Sequence, residues 1–157
     1  MIQVKDVVKS FDGNVVLDHI SADFEDGKVN MIIGQSGSGK TVLMKSMIGL
    51  HTIDSGEIIF DTRQGQQNLA EMAEKEVRLL HREVGMLFQG AALFDSMTVQ
   101  ENVMYPLEMF SQMSKEEMVE RARFCLSRVP IPERAYGLMP SEISRGMQKR
   151  VAIARAI

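Results

Sequence analysis

The segment that decides the fold is the octapeptide GQSGSGKT at positions 34–41. It matches the pattern G-x-x-x-x-G-K-[ST] in full, and this pattern cradles the phosphates of a nucleotide. Its glycines let the backbone turn sharply and let N–H groups approach an anion closely. Lys40 supplies a cation for the β- and γ-phosphates, and the Thr41 hydroxyl is a suitable Mg²⁺ ligand. The sequence therefore predicts a site for ATP and Mg²⁺ at Gly34, Gln35, Ser36, Gly37, Ser38, Gly39, Lys40 and Thr41.

The flanking residues give this loop the context that it requires. Val29–Ile33 are largely apolar, which predicts a short strand, buried on both faces, directly before the loop. After the loop, Leu43 and Met47 pair at i and i+4, which predicts a helix, and Gly49 marks its end. A strand, a glycine-rich loop and a helix in this order predict an α/β fold.

The remaining elements change in character along the chain. Further strands are predicted at Ile2–Val4, Val15–Ile20, Ile58–Phe60 and Val84–Leu87. Residues 61–70 are polar and are predicted as a surface loop. Helices are predicted at Glu74–His81 and after two capping boxes, which begin at Thr98 and Ser114. We therefore expect one domain over residues 1–157, with a sheet core at 1–90, a helical subdomain at 91–145 and a further helix at 146–157.

The composition bounds the class of protein. The 157 residues are 45% hydrophobic and 25% charged, with a formal net charge of −3, which suits one globular domain and gives no electrostatic reason to expect nucleic acid as a partner. A single cysteine, Cys125, excludes an internal disulfide framework. No apolar run approaches the ~20 residues of a membrane span, so we expect any work at a membrane to proceed from the cytoplasm through a partner.

Two further segments indicate the kind of nucleotide binder. The first is VGMLFQ at 84–89, and the second is SRGMQKRVAIARA at 144–156. With the phosphate loop, they give the whole chain a resemblance to the nucleotide-binding domains of ABC transporters. The resemblance implies a P-loop fold with a mixed sheet core, an antiparallel β part and a helical subdomain. It also implies a membrane permease as partner and a second ATPase subunit, in a head-to-tail dimer that holds two ATP molecules.

The resemblance assigns roles to residues outside the phosphate loop. Phe11 matches the aromatic residue that stacks on adenine, a suitable task for a flat apolar ring. Gln89 matches the glutamine that contacts Mg²⁺ or the attacking water, which makes it a catalytic residue together with Lys40. The signature loop, which reaches the γ-phosphate held by the other subunit, is matched by Ser144, Gly146 and Met147. Arg145 departs from the pattern, since the family usually has glycine there, and we expect it either to crowd the phosphate or to add a cation beside it.

The run VGMLFQGAALFDSMTVQENV at 84–103 is more specific. With Pro140-Ser141-Glu142 before the signature loop, it is similar to the ATPase subunit of Mla-type phospholipid transporters, which move lipids between the membranes of diderm bacteria. This implies a subunit on the cytoplasmic face of the inner membrane, held there by its permease. Residues in this region either face the groove for the permease or form the core of the helical subdomain, and both explanations stand for Phe94, Met97, Val99 and Met104.

The family's hydrolytic residues follow the signature helix, on a strand that ends Asp-Glu and at a later switch histidine. No Asp or Glu follows Glu142, although hydrolysis needs an acidic residue near Mg²⁺ and a group that positions water. We therefore expect a domain that is incomplete at its C-terminus, unstable alone and without ATPase turnover. The alternatives are a non-catalytic ATP-binding fragment or interaction module, and another ABC ATPase, such as an importer, a lipoprotein-release ATPase or one without a transporter.

Overall fold

The computed structural model describes residues 1–62 and 65–157, which form two compact units, Met1–Glu83 and Val84–Ile157. Within these residues, the first unit contains a four-stranded sheet and two α-helices, and the second contains three α-helices. None of the helices in the described ranges is long and apolar enough to cross a bilayer. The boundaries predicted at residues 90 and 145 stay predictions.

The sheet is antiparallel, with the spatial order β2-β1-β3-β4. Its strands are β1 (Ile2–Phe11), β2 (Asn14–Phe24), β3 (Ser55–Thr62) and β4 (Gly65–Asn68). Asp12 and Gly13 join β1 to β2 with φ angles of 48° and 80°, the positive pair that a two-residue hairpin requires. The buried apolar side chains of this sheet are those of Val4, Val7, Leu17, Ile58 and Phe60. The strands predicted at Ile2–Val4, Val15–Ile20 and Ile58–Phe60 are confirmed, since β1, β2 and β3 contain them.

The prediction of a loop over residues 61–70 is wrong in part. β4 occupies Gly65–Asn68 and pairs with β3, for example Phe60 with Gln67, and a 3-10 helix follows at Leu69–Glu71. The strand has the sequence GQQN, which carries no apolar residue, because an edge strand is stabilised by backbone pairing and buries few side chains. Arg63 and Gln64 lie outside the described residues.

The helices of the first unit follow the sequence pattern. Helix α1 runs from Lys40 to Met47, and α2 runs from Glu74 to Leu80. The end of α1 is a Schellman motif: Gly49 has a φ of 73°, its N–H bonds to the carbonyl of Ser46, and the N–H of Leu50 bonds to the carbonyl of Lys45. The predictions of a helix after the phosphate loop, of its glycine stop and of a helix near residue 74 are confirmed.

Two predicted strands are wrong. Residues 29–33 and 84–87 have no regular secondary structure, and Val29, Met31 and Ile33 are 94%, 76% and 84% exposed. The apolar composition indicated a need for burial, but a strand also needs a neighbour to pair with. No described residue pairs with either segment, so their backbones remain outside the sheet.

The second unit is a helical bundle around one apolar core. Its helices are α3 (Val99–Phe110), α4 (Lys115–Ser127) and α5 (Arg145–Ala156). Both predicted capping boxes are confirmed: the side chain of Thr98 accepts from the N–H of Glu101, and that of Ser114 accepts from the N–H of Glu117. Val99 and Met104 are buried, so they form part of the core of the helical unit and do not face a groove for the permease. Phe94, by contrast, is exposed.

Candidate functional site

The phosphate loop is built around a tight turn. The N–H of Ser38 donates to the carbonyl oxygen of Gln35 at 3.3 Å, which closes a turn over Ser36 and Gly37. Gly37 is in the third position of this turn with a φ of 81°, a conformation that L side chains rarely adopt. The loop residues 34–38 are exposed, so their backbone is accessible to an anion.

Lys40 closes this loop from inside. Its Nζ donates to the carbonyl oxygen of Gly34 at 2.8 Å and to that of Gln35 at 2.5 Å. An ammonium group has three donors, and the contact with Ser38 Oγ, at 3.5 Å, is too long to occupy the third fully. The half-buried Lys40 therefore fixes its positive charge at the loop and retains a donor for a further oxygen.

The start of α1 adds to this positive field. Gly39 is the N-cap and no side chain caps the helix, and the first turn carries no acidic residue. The first helical bond runs from the N–H of Leu43 to the carbonyl of Gly39, so the three preceding N–H groups have no partner within the helix. Uncapped N–H groups and the helix dipole both favour an anion here.

These groups fit ATP and Mg²⁺. The exposed turn, the Lys40 cation and the helix N-terminus are suited to bind a negatively charged polyphosphate. Mg²⁺ prefers oxygen ligands, and the exposed residue Thr41 offers a hydroxyl. In residues 1–62 and 65–157 there is no cluster of three or more His, Cys, Asp or Glu side chains that would hold a metal by itself. A cation held mainly by phosphate oxygens and one hydroxyl does not need such a cluster.

Phe11 lies at the end of β1, next to the hairpin turn, and is 38% exposed. It pairs with Asn14, which is two residues from Val16, and two strand residues span about 7 Å. The carbonyl oxygen of Val16 is the heavy atom that would lie nearest to a Cβ atom on Gly39. The hairpin therefore places Phe11 close to the strand residue that contacts Gly39, which is compatible with an adenine-stacking role.

Sequence reasoning missed a residue that supports this ring. The His51 ring meets Phe11 edge to face, with the centroids 5.4 Å apart and the planes at 75°, and Lys9 Nζ lies 5.2 Å from the Phe11 centroid. These contacts restrict the orientation of an exposed phenyl ring. The only sequence signal for His51 is its position shortly after Gly49, at which α1 has already ended.

Gln89 lies in the second unit, in an exposed turn. The N–H of Ala91 donates to the carbonyl of Phe88 at 3.0 Å, so that Gln89 and Gly90 occupy the two central positions. The following residues, Ala91 and Ala92, have positive φ angles of 64° and 47°. The turn presents the side chain of Gln89 to solvent, which leaves its amide oxygen accessible to a cation or water.

The signature loop is the N-terminus of α5. The side chain of Ser144 is the N-cap and accepts from the N–H of Met147 at 3.3 Å, which leaves its O–H free to donate. A Cβ atom on Gly146 would meet nothing closer than Ser144 Oγ at 3.9 Å, so the backbone there is open. Arg145 is exposed, whereas Met147 packs partly against the helical core.

The comparisons with known proteins agree with this geometry. The family model described as ABC transporter matches residues 17–157. The chain is 40% identical over 157 residues to the glutamine transport ATP-binding protein GlnQ of Escherichia coli, and 36% identical over 157 residues to the intermembrane phospholipid transport system ATP-binding protein MlaF of the same organism. Both alignments cover 100% of this chain, which spans 63% of GlnQ and 56% of MlaF.

A solved structure gives the same result for the fold. The dimeric, post-hydrolysis state of the ATP-binding cassette MJ0796, bound to ADP and Pi, matches with a TM-score of 0.89 and 30% identity. The match covers 100% of this chain and 69% of the solved chain. The predicted P-loop fold of mixed α/β type with an antiparallel part is thereby confirmed.

Proposed function

Because the chain belongs to the ABC transporter family as an ATP-binding domain, we propose that it is part of an ATPase subunit that couples ATP binding and hydrolysis to transport across or between membranes. The observation that carries this proposal is the phosphate loop, in which Lys40 lies across the carbonyls of Gly34 and Gln35 beside an uncapped helix start. This arrangement concentrates positive charge where a triphosphate would bind.

Each part of the nucleotide has a candidate partner. In this proposal the backbone of residues 34–39 and Lys40 would bind the phosphates, Thr41 and Gln89 would each offer an oxygen ligand to Mg²⁺, and the ring of Phe11 would stack on adenine. When bound, Mg²⁺ neutralises charge on the phosphate oxygens and ATP supplies the phosphoryl group. Lys40 and Gln89 act as catalytic residues in this proposal, and Ser144, Gly146 and Met147 contact the nucleotide of a second subunit in a head-to-tail dimer.

The proposed transported substrate is phospholipid. What supports it is the run GAALFD after Gln89, which is similar to that of Mla-type ATPases, and the similarity to MlaF. The importer alternative remains as a second candidate, since GlnQ is 40% identical and is named for glutamine transport. Overall identity therefore does not favour lipid over amino acid, and the lipid proposal depends on the residues after Gln89.

We propose a membrane permease as the partner, and the cytoplasmic face of the inner membrane as the location. The exposed Phe94 supports a contact with the permease, because its ring lies 4.5 Å from that of Tyr105 and presents a firm apolar surface next to the Gln89 turn. Phe94 is five residues from Gln89 in the sequence, so we expect a movement of Phe94 at this contact to affect the position of Gln89. The formal net charge of −3 gives no electrostatic reason to expect nucleic acid as a partner.

The substrate is tested in the native membrane assembly, reconstituted in nanodiscs of defined phospholipid. ATPase activity is measured with added phospholipid and, separately, with added amino acids. The lipid proposal expects stimulation that depends on the phospholipid and on an intact Lys40. Stimulation by amino acids alone contradicts the lipid proposal and favours the importer alternative, and an absence of ATPase activity contradicts the coupling of hydrolysis to transport.

A further inference from the structure

The last turn of α5 contacts the segment that carries Gln89 at two points. Arg155 donates from Nη1 to the carbonyl oxygen of Ala92 at 2.6 Å and from Nη2 to that of Ala91 at 2.8 Å. On the other side of Gln89, Gly85 is so close to α5 that a Cβ atom on it would clash with the carbonyl oxygen of Ala156. The two ends of the segment 85–92 therefore contact one helical turn.

The backbone that Arg155 contacts is strained. Ala91 and Ala92 both have positive φ angles, of 64° and 47°, and two consecutive non-glycine residues in this region persist only when their surroundings hold them. Ala91 is also buried, and its N–H closes the turn that contains Gln89. Ala91 therefore belongs to the turn that contains the candidate catalytic residue, and Ala92 follows this turn directly.

Arg155 is suited to hold this turn. Its planar guanidinium places two N–H groups side by side, which matches two neighbouring carbonyl oxygens, whereas the ammonium of a lysine is a compact point donor. Burial lowers the pKa of Arg155 from its usual value, and none of the ion pairs found in residues 1–62 and 65–157 includes it. The carbonyls of Ala91 and Ala92 are thus the polar groups that the structure places against this half-buried cation.

We propose that Arg155 is a positioning residue that fixes the turn of Gln89 and connects it to the signature loop through α5. This helix has 12 residues, a length of about 18 Å, and Val151 and Ala152 are buried in its middle, so it behaves as a rigid element. The proposal rests on the proposed function, because the position of Gln89 matters only if the chain acts on Mg²⁺ and ATP.

The first test is hydrogen–deuterium exchange of the full chain. The variants are Arg155→Lys and Arg155→Met, and the control is Arg150→Met, because Arg150 lies on the same helix and donates to a single carbonyl, that of Pro130, at 3.3 Å. In Arg155→Met we expect the amides of residues 88–94 to exchange at least about tenfold faster, with an intermediate effect in Arg155→Lys. The amides of α4 keep their protection in all three variants.

The second test separates positioning from stability. In the native membrane assembly, Arg155→Met lowers kcat by about tenfold and leaves the KM for ATP unchanged, because the phosphate loop lies in the other unit. Arg155→Lys recovers part of the rate, and Arg150→Met behaves as the wild type. A general packing role would instead lower the protection of α4 and the amount of folded protein.

Each outcome decides a different claim. Unchanged exchange at 88–94 in Arg155→Met, or faster exchange throughout the second unit, overturns the proposal. Faster exchange at 88–94 with an unchanged kcat overturns the link to catalysis. If the wild-type protein does not bind ATP, the proposed function fails, and the exchange comparison still decides whether Arg155 holds the turn.

Discussion

The Cα atom of Gly39 faces the carbonyl oxygen of Val16, so that a Cβ atom on Gly39 would lie 2.8 Å from that oxygen. This contact joins the start of α1 to strand β2, and thereby the phosphate loop to the hairpin that carries Phe11. Gly39 also has a φ of 86°. Two independent reasons, backbone conformation and close approach, therefore require glycine at this position.

Gly39→Ala is expected to be more harmful than Gly37→Ala. Both residues have a positive φ, which costs an alanine about 1–2 kcal/mol, but a Cβ on Gly37 would meet no atom within 4 Å. We expect Gly39→Ala to lose at least about 2 kcal/mol in the free energy of unfolding and Gly37→Ala to lose about 1 kcal/mol. Urea unfolding of both variants measures this difference, and equal losses would show that the contact with Val16 does not constrain Gly39.

Phe11→Ala is expected to weaken the binding of ATP and to leave the binding of tripolyphosphate unchanged. Stacking of a base on an aromatic ring contributes about 1–3 kcal/mol, and tripolyphosphate carries no base. Calorimetric titration with both ligands measures the two affinities. Phe124→Ala is the matched control, because Phe124 is 51% exposed and belongs to the second unit. Equal losses for both ligands would contradict the stacking role and indicate that Phe11 acts on the fold of the hairpin.

His51→Ala is expected to have the same selectivity with a smaller effect. Its ring meets Phe11 only edge to face, at 5.4 Å, so its removal loosens the phenyl ring without removing the stacking surface. The same pair of titrations measures this effect. A loss of ATP affinity larger than that of Phe11→Ala would mean that His51, rather than Phe11, contacts the base.

Arg145→Gly is expected to weaken ATP-dependent dimerisation. Arg145 is exposed in the first turn of α5, and the neighbouring Gly146 leaves the backbone open, so the arginine adds a cation without blocking approach. Sedimentation velocity with and without ATP measures the dimer, and Arg145→Lys, which keeps the charge, is expected to retain it. A tighter dimer in Arg145→Gly would indicate instead that Arg145 crowds the phosphate. An unchanged dimer would exclude both crowding and the added cation.

The stability of the helical unit is expected to fall at acid pH through Glu101. The backbone N–H and the hydroxyl of Thr98 donate to its carboxylate at 2.7 Å and 2.8 Å, and they hold the pKa of Glu101 below its usual 4.5. A lowered pKa in the folded state gives stability that is present above the unfolded value and is lost as the pH falls through the folded value. Urea unfolding from pH 7 to pH 3 measures the loss.

Glu101→Gln is expected to remove part of this pH dependence at a cost of about 0.3–1 kcal/mol at neutral pH, because Gln also fits a capping box at this position and only the charge near the helix N-terminus is lost. Glu108→Gln on the same helix is the control and should keep the acid sensitivity of the wild type. If the two variants respond to pH alike, the capping box does not contribute the acid-sensitive part.

Local signals in the sequence predicted the parts of the structure that local chemistry determines. The phosphate loop, the glycine stop at Gly49 and the capping boxes at Thr98 and Ser114 depend on residues within one or two turns of each other. A strand at 29–33 would need a neighbour to pair with, and the apolar run alone could not show that no described residue pairs with this segment. β4 was missed because the pairing of an edge strand leaves no pattern in the sequence GQQN.

The candidate site shows the same division. The sequence motif predicted the residues of the phosphate loop, and the resemblance to ABC transporters assigned Phe11, Gln89 and Ser144. Neither indicated that His51 meets Phe11, nor that Arg155 donates to Ala91 and Ala92, which are more than 60 residues away in the chain. Such contacts arise from the fold and not from spacing, so they become visible only in the structure.

Residues 34–41 are proposed to bind the phosphates of Mg²⁺-ATP, and calorimetric titration of the Lys40→Met variant is the decisive measurement. We predict that the wild-type chain binds Mg²⁺-ATP and that Lys40→Met lowers the affinity by about 10- to 100-fold, because a charged hydrogen-bond donor is lost. Lys45→Met, on the same helix, should bind as the wild type does. Equal affinities of the wild type and Lys40→Met, or no binding by the wild type, would show that this loop is not the phosphate site.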